Sequence, residues 1–184
     1  DGGGLNSISP ENSQFSTPPF KHNPTDNNTL GGNVVKALFE DSQRRLWVGM
    51  FGAGLDLFDP TTQTFEHVLS PYSVWSLTER KNGQLWIAAM GDGIIVLDPE
   101  TREKTFHWHE EDNPKSLACP NVMVVYTDHQ DQVWVGTTDQ GLDRWVEDRR
   151  EFEHFRHNPD DSLSISDDAI RSIFQDRRGN LWFG

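Results

Sequence analysis

Apolar and β-branched residues fall in short runs along the chain, separated by polar turns, and the runs keep one frame. "VKALFED" (Val35 to Asp41) and "IRSIFQD" (Ile170 to Asp176) show the partial alternation of a half-buried strand. Polar turns such as "RKNGQ" and "DRRGN" follow, with Asn and Gly suited to a tight hairpin. A second run, "LWVG", "LWIA", "VWVG" or "LWFG", leads through a Gly-rich turn into a third, "GLDLFDP" or "GIIVLDP". The third run stops at Asp-Pro because proline has no N–H to give a ladder. A fourth is carried by "TFEHV", "TFHWH" and "EFEHF". No amphipathic helix is apparent.

Four tryptophans, Trp47, Trp86, Trp134 and Trp182, stand 39, 48 and 48 residues apart. Each has Val or Ile twelve positions upstream (Val35, Val74, Val122, Ile170). Complete copies reach a Gly-aliphatic pair at fixed distance: Gly54-Leu55, Gly93-Ile94 and Gly141-Leu142. Gly4-Leu5 is the same pair without the front of its copy. Units of this length, with four strands and an aromatic mark, predict an all-β fold of β-propeller blades, each of four antiparallel strands. A single propeller region over 1–184 divides into units 35–73, 74–121 and 122–169, with half blades at 1–34 and 170–184. Joined end to end, the halves would place Trp182 seven residues from Leu5, against eight in Trp47 to Leu55. A closed small propeller and a segment of a larger one both fit. The Trp is read as a plug between blades, and the recurrent Gly as a backbone requirement for positive φ or close approach.

The phrase V-x-x-[IL]-x-x-D-x-x-x-x-L-W-x-G followed by G-L-x-x-[FW] resembles the two-component regulator propeller repeat. It is clearest at Ile170 to Gly184 and at Val35 to Asp59. "FRHNPDDSLSISDDAI" (Phe155 to Ile170) resembles the family's connection between units, and "FKHNPTDNNTLGGNVV" (Phe20 to Val35) matches it in length. The second unit departs most: Arg80 replaces the Asp of positions 41, 128 and 176, Ala88-Ala89 stands where others have Gly49 and Gly136, and its preceding connection is nine residues shorter. The resemblance implies a ligand-sensing module from the extracytoplasmic, periplasmic part of a membrane-bound bacterial receptor. Its ligand in several such cases is an oligosaccharide, and its kinase or cyclase output lies outside these residues.

Composition narrows the alternatives. Formal net charge is −13, with 29 acidic against 16 basic residues, which argues against nucleic acid and anionic lipid as partners. No run approaches the ~20 apolar residues of a membrane span, and no signal peptide is visible, so no direct membrane insertion by this chain is expected. The lone Cys119 excludes an internal disulfide. Positions where the units disagree mark the expected ligand face: Lys36, Trp75, Met123 and Arg171 after the recurrent Val or Ile, and Met50, Phe51 and Met90 after the second run. Aromatic faces and cationic forks there would suit sugar rings and their hydroxyls. "HWHEED" sets His107 and His109 on one strand face, too few ligands for a metal site. His22 and His157 sit at matching places in the linkers, which points to a structural role. "DHQDQ" lacks the Gly and Glu of a calcium loop. No catalytic constellation and no cofactor are expected. The alternatives are a protein-interaction platform and a propeller lyase or glycoside hydrolase. Bare strand edges would also let copies self-associate.

Overall fold

The computed structural model describes residues 2–9, 11, 14–15 and 18–184, the side chain of Gln14 excepted. Its strands are β1 (Ile8–Ser9), β2 (Gln14–Phe15), β3 (Val35–Glu40), β4 (Leu46–Met50), β5 (Gly54–Asp59), β6 (Thr64–Leu69), β7 (Val74–Glu79), β8 (Leu85–Ala89), β9 (Gly93–Leu97), β10 (Lys104–His107), β11 (Val122–Thr127), β12 (Val133–Thr137), β13 (Leu142–Val146), β14 (Glu151–Phe155), β15 (Ile173–Gln175) and β16 (Leu181–Phe183). Three sheets are four-stranded, each in the order of the chain, and two are hairpins. The described residues contain no helix.

Two compact units divide the chain. The first, Asp1–Val74, holds the blade β3–β6 and the hairpin β1–β2. The second, Trp75–Gly184, holds most of β7–β10, the blade β11–β14 and the hairpin β15–β16. In the first unit Leu30, Val48, Met50 and Phe65 pack with Leu5, and the rings of Phe20, Phe58 and Phe65 lie 5.0–5.6 Å apart. In the second, Trp86, Val96, Val125, Val135 and Phe152 form one core shared by two consecutive blades.

The recurrent residues fix these sheets. Gly54, Gly93 and Gly141 have φ of +93, +77 and +73, and a Cβ on each would stand 1.7, 2.5 and 2.2 Å from the carbonyl oxygens of Leu69, His107 and Phe155. Gly4 repeats both features, with φ +80 and Phe20 O at 2.2 Å, and Leu5 bridges Phe20. The Gly4-Leu5 pair therefore starts a third-strand equivalent. The recurrent Asp locks the Trp. Asp41 Oδ2 accepts Trp47 Nε1–H at 2.8 Å, while its Oδ1 accepts the amides of Gln43 and Arg45. Asp128 with Trp134 and Asp176 with Trp182 repeat the arrangement at 3.0 Å. In the second blade, where Arg80 replaces Asp, Trp86 Nε1 is buried without a hydrogen-bond partner. Trp86 stacks instead on His107 (5.1 Å) and packs on Trp145 of the next blade. Here the Trp is the plug between blades that its recurrence predicts.

The linkers also repeat. His22, His109 and His157 each donate from Nδ1 to the carbonyl eight residues on, at Leu30, Leu117 and Ile165 (2.8–2.9 Å). One residue after each His, a backbone amide donates to Thr29, Ser116 or Ser164 at 2.9 Å. This corrects the "HWHEED" reading: β10 ends at His107, which turns into the core, while His109 belongs to the linker loop. The two rings do not share a strand face.

Candidate functional site

Each blade has an end where its first strand begins and its second strand turns into its third. In the second unit the first strands are adjacent: Val125 N–H donates to Ser76 Oγ at 3.3 Å and Thr127 N–H to Thr78 Oγ1 at 3.0 Å. Trp75 and Met123 occupy the second residue of β7 and β11, both half-buried, and Arg171 stands at the matching point before β15, exposed. Met90, half-buried, begins the β8–β9 turn. The turn is anchored by Gly91 and Gly93 amides donating to Pro120 O at 3.1 and 3.2 Å. In the first unit Lys36 is the exposed second residue of β3, and Phe51, 53% exposed, tops the β4–β5 turn.

Met50 does not join this row. It is fully buried in the first unit's core and its Sδ accepts Gly32 N–H at 3.2 Å. Its counterparts Ala89 and Thr137 are also fully buried. The inward column is therefore Met50, Ala89 and Thr137, and the outward one is Phe51, Met90 and Thr138. Cys119, 8% exposed, has its thiol pKa pushed up, mainly by burial, which makes it a poor nucleophile. Among the described residues no group of three His, Cys, Asp or Glu side chains could hold a metal ion.

A second set of polar residues escaped the sequence reading. Asp56, wholly buried, accepts His67 Nδ1–H at 2.7 Å and the amide of Gly31 at 2.7 Å. Asp143, also wholly buried, accepts His154 Nδ1–H at 2.6 Å and the amide of Ala118 at 2.7 Å. Each pair clamps the preceding linker to its blade. Burial pushes the Asp56 carboxyl up, against the bonds from His67 and Gly31. The bond to Asp143 pulls the His154 ring up, against burial. His154 Nε2 also lies 2.9 Å from Pro114 O, so both ring nitrogens donate, as in the imidazolium. The signal was present: Asp follows Gly-Leu, and His ends "FEH", in these two units alone. In the blade β7–β10 Ile95 and Phe106 pair at the same register.

Repeated four-stranded blades define a propeller-type scaffold. Residues 29–52 and 164–184 match the family described as "Two component regulator propeller". No curated protein matches the chain. Among solved structures, it resembles the extracellular domain of a one component system of B. thetaiotaomicron, with TM-score 0.78 and 22% identity over 98% of this chain and 23% of that one. The extracellular domain of a hybrid two component system from the same organism gives TM-score 0.70 and 23% identity over 100% and 29%. Virginiamycin B lyase from Staphylococcus aureus gives 0.68 and 13% over 97% and 55%. The chain spans about a quarter of the first two structures.

Proposed function

We propose that the chain is part of the extracytoplasmic, ligand-sensing propeller of a bacterial two-component or related receptor, and that its variable row recognises an oligosaccharide without transforming it. The match to the two component regulator propeller family carries this reading. The row of Trp75, Met123 and Arg171, unlike residues at one repeated position, supports it. Rings of a glycan would lie on the Trp75 indole while the Arg171 guanidinium takes hydroxyl or carboxylate oxygens. Binding would act by favouring one arrangement of the receptor over another.

Calorimetric titration against a panel of neutral and acidic oligosaccharides tests the reading. Binding that falls tenfold or more in Trp75→Ala and in Arg171→Ala, with no new product by chromatography, is the expected result. Unchanged affinity in both variants overturns the assignment of the row. The likeness to a lyase favours a second reading, catalysis on the same fold. Appearance of a cleaved product would establish it.

A further inference from the structure

Two of the linker loops, with the β-turns beside them, form grooves at matching positions with a similar floor and a changing rim. In the first unit the floor is Phe20, Leu30 and Phe65, and the rim is Lys21, Asn28 and Gln63, around a cavity of about 440 Å³. In the second unit the same positions are His107, Leu117 and Phe152 for the floor and Trp108, Lys115 and Arg150 for the rim. There the indole of Trp108 lies flat on Phe106 (4.8 Å, 6°), Lys115 is tied to Glu151 at 2.6 Å, and about 120 Å³ is left. The first-unit groove is thus the open member of a repeated pair. It lies beside the β5–β6 turn, at the opposite end of the blade from Lys36.

Its rim is rigid and unspent. Asn28 is held through its backbone, its carbonyl accepting Phe65 N–H at 2.9 Å and its amide donating to Asp26 at 3.0 Å, so its carboxamide is left for a ligand. Gln63 has φ +57, a conformation glycine adopts with least strain. Arg102 and Arg150 occupy the corresponding turns at +63 and +52, so each blade keeps a long polar side chain where glycine would be easier. Lys21, Asn28 and Gln63 side chains make no hydrogen bond or ion pair among the described residues. An apolar floor of aromatic edges, two free amides and one free ammonium around a volume of this size form a small-ligand site.

We propose that this groove binds a single carboxylate-bearing pyranose, a hexuronate unit. Its ring would pack on Phe20 and Phe65, its carboxylate would take the Lys21 ammonium, and its hydroxyls the amides of Asn28 and Gln63. The proposal does not depend on the sensor reading, since it uses neither the row of Trp75 nor any coupling to an output.

The test is calorimetric and saturation-transfer NMR titration of the 184-residue chain with D-galacturonate and D-glucuronate at millimolar concentrations. D-galactose, D-glucose and acetate serve as controls. One or both uronates should bind at least tenfold more tightly than the neutral sugars and acetate. Lys21→Ala should weaken binding roughly tenfold or more, as loss of a charge-assisted bond implies, and Asn28→Ala severalfold. Circular dichroism and the urea midpoint should stay unchanged, because both side chains are exposed. Absence of binding by both uronates, equal binding by their neutral parents, or wild-type affinity in Lys21→Ala overturns the proposal.

Discussion

Removing the carboxylate of Asp41 tests whether the Asp–Trp lock holds a blade together. Its two oxygens take four donors: Trp47 Nε1 at 2.8 Å, Arg45 Nε at 2.6 Å, and the amides of Gln43 and Arg45 at 3.0 and 2.9 Å. Trp47 is fully buried and Asp41 is 3% exposed, so Asp41→Ala removes the acceptor of a buried indole N–H. An orphaned buried donor costs about 1–3 kcal/mol, and the charged bond to Arg45 adds about 1 kcal/mol at its partly exposed site. The two turn amides regain solvent at about 0.5 kcal/mol each. The total is about 3–5 kcal/mol. Asp41→Asn keeps a single acceptor oxygen for four donors and turns its amide N–H₂ toward two of them, so it should recover less than half.

Urea unfolding followed by tryptophan fluorescence measures both variants. The same carboxylate predicts an acid signature. Burial raises its pKa, but the bonds from Trp47 and Arg45 together outweigh burial and hold it below the ordinary value of 3.8. A depressed carboxylate stabilises the fold above its unfolded pKa and loses that contribution as pH falls through the folded one. Wild-type stability should therefore drop more steeply below about pH 4 than that of Asp41→Ala. A loss under about 0.5 kcal/mol in both variants, the range of an ordinary surface substitution, would refute the lock.

Three further outcomes follow from the same geometry. Burial lowers the His107 pKa from 6.5 to about 4, so the fold should lose about 3 kcal/mol as pH falls from 6.5 to 4. His107→Phe, which puts there the residue found at Phe20 and Phe155, should flatten that dependence in acid unfolding curves. Asp143→Ala should cost about 3 kcal/mol by stranding the His154 ring, while Asp143→Ile with His154→Phe, copying Ile95 and Phe106, should restore most of it in the same urea assay. Because the folded His154 pKa is raised, the clamp's contribution is complete below about pH 6.5 and declines as pH rises through the folded value. Finally, Leu38 and Trp182 are 56% and 60% exposed where their counterparts Leu77 and Trp86 are buried, so light scattering should give a mass above the 21.0 kDa of one chain; a monomer would rule out self-association through these faces.

The blades were legible because one large residue type recurs in a fixed frame, and because a glycine that must avoid a carbonyl cannot be replaced freely. Gly4 was placed correctly from that pair alone. Met50 was misplaced because the units were compared by identity rather than by strand position. Met, Ala and Thr at one column look variable, yet all three fill the inward side of the second strand's last residue. Variation marks a ligand face only where the side chain also points outward. The Asp–His clamps were missed for the converse reason: buried polar pairs carry no hydrophobic periodicity, and their signal is the joint presence of two residues eleven apart in Asp56–His67 and Asp143–His154.

The departures of the blade β7–β10 are one change. It lacks the Asp of the lock and both members of the clamp, the two devices that tie a blade to itself and to its own linker. In their place its side chains reach the following blade. Arg80 pairs with Asp131 at 3.0 Å and with Glu147, and Glu147 also accepts Trp145 Nε1–H at 3.1 Å. Trp145 in turn lies 4.4 Å from His107, and His107 stacks on the Trp86 whose N–H has no partner. These contacts run as a continuous chain, Arg80 to Glu147 to Trp145 to His107 to Trp86, across the two blades. A blade that has traded internal ties for ties to its neighbour cannot open alone, because each link it loses is also a link of the next blade. Between β7–β10 and β11–β14, therefore, the unit of cooperativity is the pair of blades rather than the repeat.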